Sequence, residues 1–292
     1  MSQKIRPYLL VFPAIMLTII LFICGLIQGI IQSLGASSIY NIGDATLSYY
    51  KEIFKSTEFW MSFFITIKIA VISTIISALA GTFIVYLLYI IKTGVFYKFA
   101  SRLKLLIQIP MLFSYLVYSY IMLLIFNRSG WISSIFLKLG IINSIDEFPI
   151  IVNDEFGIGI ILTYVLKTTP FIVLMLYPVI LKVESNWLEL TYMLGGNRNE
   201  LFKKVILKML INPLKISCFI IFSYTFAEFE IPFLLGVTYP KMISVYSYQI
   251  YMNSDLTQRP KAFAINVVAV LVITGMGYIF NRLSMQKWRN IK

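Results

Sequence analysis

Six stretches of this chain are predominantly apolar over about 20 residues or more: 9–33, 60–91, 105–126, 156–181, 214–237 and 262–283. A helix rises about 1.5 Å per residue, so roughly 20 such residues cross a hydrocarbon core about 30 Å thick. In lipid the backbone must satisfy its own hydrogen bonds, and a helix does so within one segment. This feature predicts an all-α, polytopic membrane protein of about six transmembrane helices. Composition agrees, with 59% hydrophobic and 13% charged residues among 292, where soluble domains run near one quarter charged. The first block follows only Lys4 and Arg6, is too long for a signal-peptide core and lacks a clear small-residue cleavage site. It is expected to be a retained helix. The second is long enough to tilt or to extend past the bilayer.

The net charge of +12 invites a nucleic-acid reading, but its distribution argues against one. Six spans put both termini on one side. That side carries sixteen Lys and Arg with Glu184, Glu189 and Glu200, a net of +13; the other carries seven Lys and Arg with eight carboxylates, a net of −1. Basic short loops stay in the cytoplasm. The expectation is therefore a multi-pass membrane protein with both termini cytoplasmic, solvated by the lipid bilayer and binding no nucleic acid. On the outer side, residues 131–142 form an apolar helix-like stretch broken by Gly140, which suits an interfacial helix or an ordered loop equally well.

Several chemistries are excluded. Histidine is absent, and the two cysteines, Cys24 and Cys218, both lie in apolar blocks. A histidine triad, a zinc cluster or a disulfide framework is not available. No G-x-x-x-x-G-K-[ST] phosphate loop occurs, so ATP binding by this chain itself is not expected. The chain reads as a non-catalytic membrane subunit with no catalytic, cofactor-binding or metal residues.

Residues 184–213, between the fourth and fifth spans, are the most patterned polar segment. Asn186 with Glu189, and Asn197 with Glu200, have the spacing of reciprocal helix caps. Gly195-Gly196 lies between them and supplies a residue able to take positive φ and end the first helix. Asn212-Pro213 has the form of a cap and first-turn proline opening the fifth span. The expected unit is helix, tight turn, helix, outside the membrane. In the second helix Leu201, Phe202, Val205 and Met209 recur on one face, and Lys204 and Lys208 share another. A short amphipathic helix of this kind fits docking into a cleft on a partner. It equally fits lying on an anionic leaflet, and physics alone divides the two evenly.

The same segment resembles the shared cytoplasmic loop of permease subunits in binding-protein-dependent ABC importers. Glu189-Leu190-Thr191 stands where that family has Glu-Ala-Ala, Gly195 stands for its glycine, and Phe202-Lys203-Lys204-Val205 is similar to its frequent Phe-Arg-Arg/Lys-Ile/Val. Leu207 keeps a later leucine, whereas Lys208 replaces the following proline, both alanines are lost, and Met193 stands where many members have Asp. The start of the first span (Arg6 to Ala14), Ile109-Pro110 and Gly130-Trp131 are also similar. Phe226 to Gly236 and Leu256 to Ala264 resemble the polyamine-type branch more than the maltose-type branch. The resemblance implies one transmembrane permease domain over 1–292, with the type I ABC-importer architecture and a coupling loop at 184–213. It also implies a partner ATP-binding subunit dimer that carries ATP and Mg, a second and related permease chain, and an extracellular or periplasmic solute-binding protein. The helix at about 197–210 is then expected to dock on the ATPase: Gly195 and Gly196 make the turn, Leu201, Phe202 and Val205 are buried anchors, and Lys203 and Lys204 pair with acidic rim groups. Glu189 has a cap role and, by resemblance, a contact role.

Charged residues inside spans are costly and conventionally mark function. Lys68, Lys167, Glu228 and Glu230 are such residues, and Tyr115, Tyr118, Tyr120 and Tyr164 could offer hydroxyls and ring faces to a solute. Lys167, Tyr164, Glu228 and Glu230 are the candidate pathway residues; interhelical or intersubunit ion pairing is the alternative. Glu228 and Glu230 stand about 200° apart on a helix, so both can face one cavity only if the chain unwinds near Pro232. The expected cargo is a small polar solute such as a polyamine; a sugar, a phosphonate or ferric ion fits the same plan. An ATPase-independent secondary transporter is the competing class, and it leaves the double-capped hairpin unexplained.

Overall fold

The computed structural model describes residues 6–36, 45–92, 97–182, 185–237 and 239–289. Glu184 and the side chain of Asn186 lie outside the described residues. The regular structure among the described residues is helical, with no strand among them. In chain order the helices are α1 (Arg6–Ser33), α2 (Ser48–Lys55), α3 (Thr57–Lys92), α4 (Tyr97–Leu112), α5 (Tyr115–Phe126), α6 (Trp131–Lys138) and α7 (Ile158–Leu181). There follow α8 (Ser185–Met193), α9 (Arg198–Leu201), a π-helical turn (Phe202–Ile206), α10 (Leu207–Ala227), α11 (Glu230–Leu235), α12 (Ile243–Tyr251) and α13 (Arg259–Arg289). Among the described residues, six helical segments are long and apolar enough to cross a membrane.

The chain divides into two compact units, Met1–Trp60 with Ile243–Lys292, and Met61–Met242. In the first, α1, α2 and α12 each pack on α13. The α1 side chains from Val11 to Ile31 are broadly exposed and apolar, the composition that a lipid-facing helix needs. Ile53 and Phe59 are fully buried, and Ser33 and Tyr50 share a hydroxyl–hydroxyl bond of 2.6 Å. Asp255 caps the 3-10 turn Leu256–Gln258 that leads into α13: it accepts from the Thr257 hydroxyl and N–H, which hold its carboxyl below the usual carboxylate range.

In the second unit α7 is the hub, packing against α4, α5, α10 and α11. Its burial comes from close helix approach. A Cβ on Gly81 of α3 would lie 2.6 Å from the Ile172 side chain, so glycine lets the two backbones meet. One turn earlier the Ser77 and Thr168 hydroxyls bond at 2.8 Å. Val85, Leu88, Ile172, Leu176 and Ile180 extend this seam into a core.

Three expectations change here. The third span is interrupted: α4 stops at Leu112 and α5 starts at Tyr115, with Ser114 extended and its Oγ accepting from the Val117 N–H. The apolar periodicity continues across that break, so hydropathy alone hides it. Asn212-Pro213 does not open the fifth span, because helix runs unbroken from Arg198 to Ala227 with Pro213 inside it. Continuity keeps Leu201, Ile206, Leu210 and Ile221 on one buried seam, outweighing the bond that Pro213 forfeits. Asn186 lies within α8 rather than at its cap, since Ser185 is already helical.

Candidate functional site

The hairpin between α7 and α10 is built as its glycines and caps require. Gly195 takes φ of +77°, open to glycine and strained for other residues. Its N–H donates to Tyr192 O at 3.0 Å, and the Gly196 N–H donates to Thr191 O at 2.9 Å. This pair of bonds ends α8 in a Schellman turn. Gly196 is glycine for a different reason: a Cβ there would sit 2.9 Å from the Thr191 methyl and 3.1 Å from Glu200 Oε2. The next helix opens with a complete capping box, Asn197 Oδ1 accepting from the Glu200 N–H at 2.9 Å and Glu200 Oε2 from the Asn197 N–H at 3.1 Å. Glu200 also pairs with Lys204 at 3.1 Å.

The turn lifts one apolar cluster into the open. Met193 is 81% exposed and Leu194 87%, beside exposed Leu190 and Tyr192. Glu189 and Lys203 are exposed as well. Leu201 and Phe202, in contrast, are buried within this chain and are not free to enter a partner's groove. The Phe202 ring lies 4.8 Å from the Tyr86 ring and 5.5 Å from Tyr89, both on α3. The π turn explains the difference. A helix of 3.6 residues per turn puts Val205 and Met209 below Phe202; the wider turn admits one extra residue and buries Ile206 and Leu210 instead. Val205 is left 36% exposed and Met209 37%. The signal for the exposed cluster was legible all the same: two large apolar residues directly before a glycine that ends a polar-loop helix.

The intramembrane candidates separate into a buried cluster and one outlier. Glu228 is buried: its Oε2 accepts from the Tyr164 hydroxyl at 2.5 Å, and its Oε1 accepts from the Glu230 N–H at 2.7 Å and the Ile231 N–H at 3.2 Å. It therefore caps α11 at a break between Ala227 and Glu230. The break precedes Pro232, which occupies the first turn of α11, where a missing N–H costs no helical bond. Glu230 is half-buried and turns away from this role, its backbone being the donor. Lys167 is 4% exposed. Its Nζ donates to Pro110 O at 3.0 Å and Phe113 O at 2.7 Å, the carbonyls left open where the third span breaks. It also lies 4.4 Å from the Tyr115 ring centre and 5.0 Å from that of Tyr118. Tyr115 in turn stacks on Tyr224 at 4.8 Å. Lys68 donates to Phe156 O at 3.4 Å, and Tyr120 is 55% exposed. Beside Lys167 a cavity of about 220 Å³ opens, walled by Phe113, Tyr115, Thr168, Phe171 and Tyr224. No group of three or more metal-ligating side chains occurs among the described residues.

No protein-family model matches the chain. It is similar to the probable sulfate transport system permease protein cysT of Chlorella vulgaris, 24% identical over 78% of this chain and 80% of that protein. It is also similar to the spermidine/putrescine transport system permease protein PotB of Haemophilus influenzae, 28% identical over 56% of this chain and 54% of that protein. Among solved structures, a chain of the bacterial alginate ABC transporter, in complex with its alginate pentasaccharide-bound periplasmic protein, superposes with a TM-score of 0.77. That match covers 97% of this chain and 96% of the other at 15% identity. A chain of the MetNI methionine ABC transporter in inward-facing conformations gives 0.53 over 76% of this chain and 92% of that one, also at 15% identity. At such identities the structural likeness carries the fold alone. The chain is thus similar in sequence to transport-system permeases and in fold to chains of ABC transporters.

Proposed function

We propose that this chain forms half of a solute pathway across a bacterial inner membrane and couples it to ATP hydrolysis on a separate ATP-binding subunit. The observation that carries the reading is the exposed Leu190, Tyr192, Met193 and Leu194 cluster, held out by a Schellman turn and a capping box. Large apolar side chains exposed in water are costly, and a rigid apolar knob rimmed by charge suits a groove on a partner protein. The strongly basic face that includes this hairpin is the cytoplasmic one by the positive-inside rule. Both termini are then cytoplasmic, and the knob faces the compartment that supplies ATP. Docking is by the end of α8 and the turn, with Glu189 and Lys203 at the rim; Gly195 and Gly196 hold the shape, while Leu201 and Phe202 brace the hairpin from within.

ATP and Mg bind the partner dimer, whose closure would push two such hairpins together and switch the pathway by rigid-body motion. A second permease chain completes the pathway, and a solute-binding protein delivers cargo to the outer mouth. The cargo is a small polar solute, and the two relatives by sequence are named for sulfate and for spermidine/putrescine. The test is ATP-dependent uptake by the assembled importer, compared with Leu194→Glu. The variant is expected to insert and melt like wild type, while losing ATPase association and uptake. Uptake by the chain without any ATPase would replace this reading with a secondary transporter.

A further inference from the structure

An interrupted helix presents two opposite partial charges, carbonyls where the first half ends and N–H groups where the second begins. At the α4–α5 break the carbonyl end is already answered, because Lys167 donates to Pro110 O and Phe113 O. A lysine ammonium has three N–H groups; two make these bonds, and its charge also lies over the Tyr115 and Tyr118 rings. The cavity of about 220 Å³ is lined by Lys167 and by Tyr115, the first residue of α5. Among the residues that line it, Lys167 alone carries a charge.

We propose that this cavity is an anion-recognising subsite of the pathway, taking a small oxyanion or carboxylate solute against Lys167 and the α5 N-terminal turn and rejecting polycations. The inference rests on the permease reading and adds the charge class of the cargo. Half-helix N-termini inside a membrane suit anionic groups, and here the competing carbonyl end is neutralised by the lysine. The ring faces could suggest the opposite, since aromatic faces attract cations. Yet Tyr115 is engaged by the Lys167 ammonium at 4.4 Å and by Tyr224 in a stack, so a resident cation already holds the place a solute cation would take. Two carboxylates lie within electrostatic reach of Lys167, Glu228 and Glu230; Glu228 accepts from the Tyr164 hydroxyl and from the Glu230 and Ile231 N–H groups, and neither carboxylate is part of the cavity wall. The cavity is smaller than the roughly 300–1,000 Å³ of drug-sized sites, which fits a small ion.

The test is calorimetric titration of the full chain in lipid nanodiscs with sodium sulfate, sodium malonate and putrescine. Binding of sulfate or malonate, but not putrescine, is expected, and which anion binds separates the oxyanion from the carboxylate source. Lys167→Arg keeps the affinity within about threefold, and Lys167→Met weakens it at least tenfold. Because Lys167 also braces the helix break, Ile220→Glu provides a second arm: Ile220 lines the cavity and is 42% exposed. That added carboxylate is expected to abolish anion binding and admit putrescine. Putrescine binding to wild type, binding of neither anion, or full anion affinity in a normally melting Lys167→Met or in Ile220→Glu would overturn the proposal. Titration needs neither ATP nor a partner, so its failure leaves the coupling reading to be decided by the uptake assay alone.

Discussion

Gly195 and Gly196 are adjacent and are glycine for separate reasons, which gives their variants different signatures. Gly195→Val forces a β-branched residue to +77°, a strain of about 1–2 kcal/mol. Its expected result is an inserted protein whose ATPase no longer responds to solute. Gly196→Ala instead meets the Thr191 methyl and Glu200 at once and is expected to loosen the capping box as well. The sharpest contrast lies between apolar neighbours. Phe202→Ala removes a buried ring and is expected to cost about 3–5 kcal/mol, read as a large fall in melting temperature. Leu194→Ala, at 87% exposure, is expected to leave melting within about 0.5 kcal/mol of wild type while weakening ATPase association. Both glycines were readable from sequence because turn chemistry is local. The fate of Phe202 was not, because its partners Tyr86 and Tyr89 lie more than 100 residues earlier.

Helix ends and interruptions carry the chemistry of this fold at the scale of elements. The capping box at Asn197 and Glu200 formed as its spacing predicts, and Gly140 ends α6 with φ of +68°. Interruptions inside apolar blocks were less legible. Nothing in the hydropathy of 105–126 marks the break at Ser114, and a π turn at Phe202–Ile206 shifts the buried face without changing composition. The break between α10 and α11 was half legible, since Pro232 signals an irregularity and Glu228 turns out to cap it. Tyr164→Phe removes the hydroxyl donor from that buried carboxylate and is expected to cost about 1–3 kcal/mol, measured by thermal melting in detergent. Asn197→Ala is expected to cost about 1 kcal/mol, with faster hydrogen exchange confined to the start of α9.

For the whole molecule, the six spans follow from one sequence-wide pattern, apolar block length, and the proposed orientation rests on a second, the placement of basic residues. These patterns need no tertiary contact, which is why the architecture was accessible before the fold. The proposed docking surface needed more, because local periodicity pointed to Leu201 and Phe202 while the fold buries both and leaves Met193 and Leu194 exposed. The central claim is that this end of α8 is the contact through which ATP hydrolysis reaches the membrane. Photo-crosslinking from a benzophenone maleimide attached to single cysteines in a Cys24→Ser, Cys218→Ser background of the assembled importer tests it most directly. Leu194→Cys and Met193→Cys are expected to join to the ATP-binding subunit, and Phe202→Cys is not. A crosslink from Phe202→Cys, or none from residues 193 and 194 in an importer that still couples ATP to uptake, would contradict it.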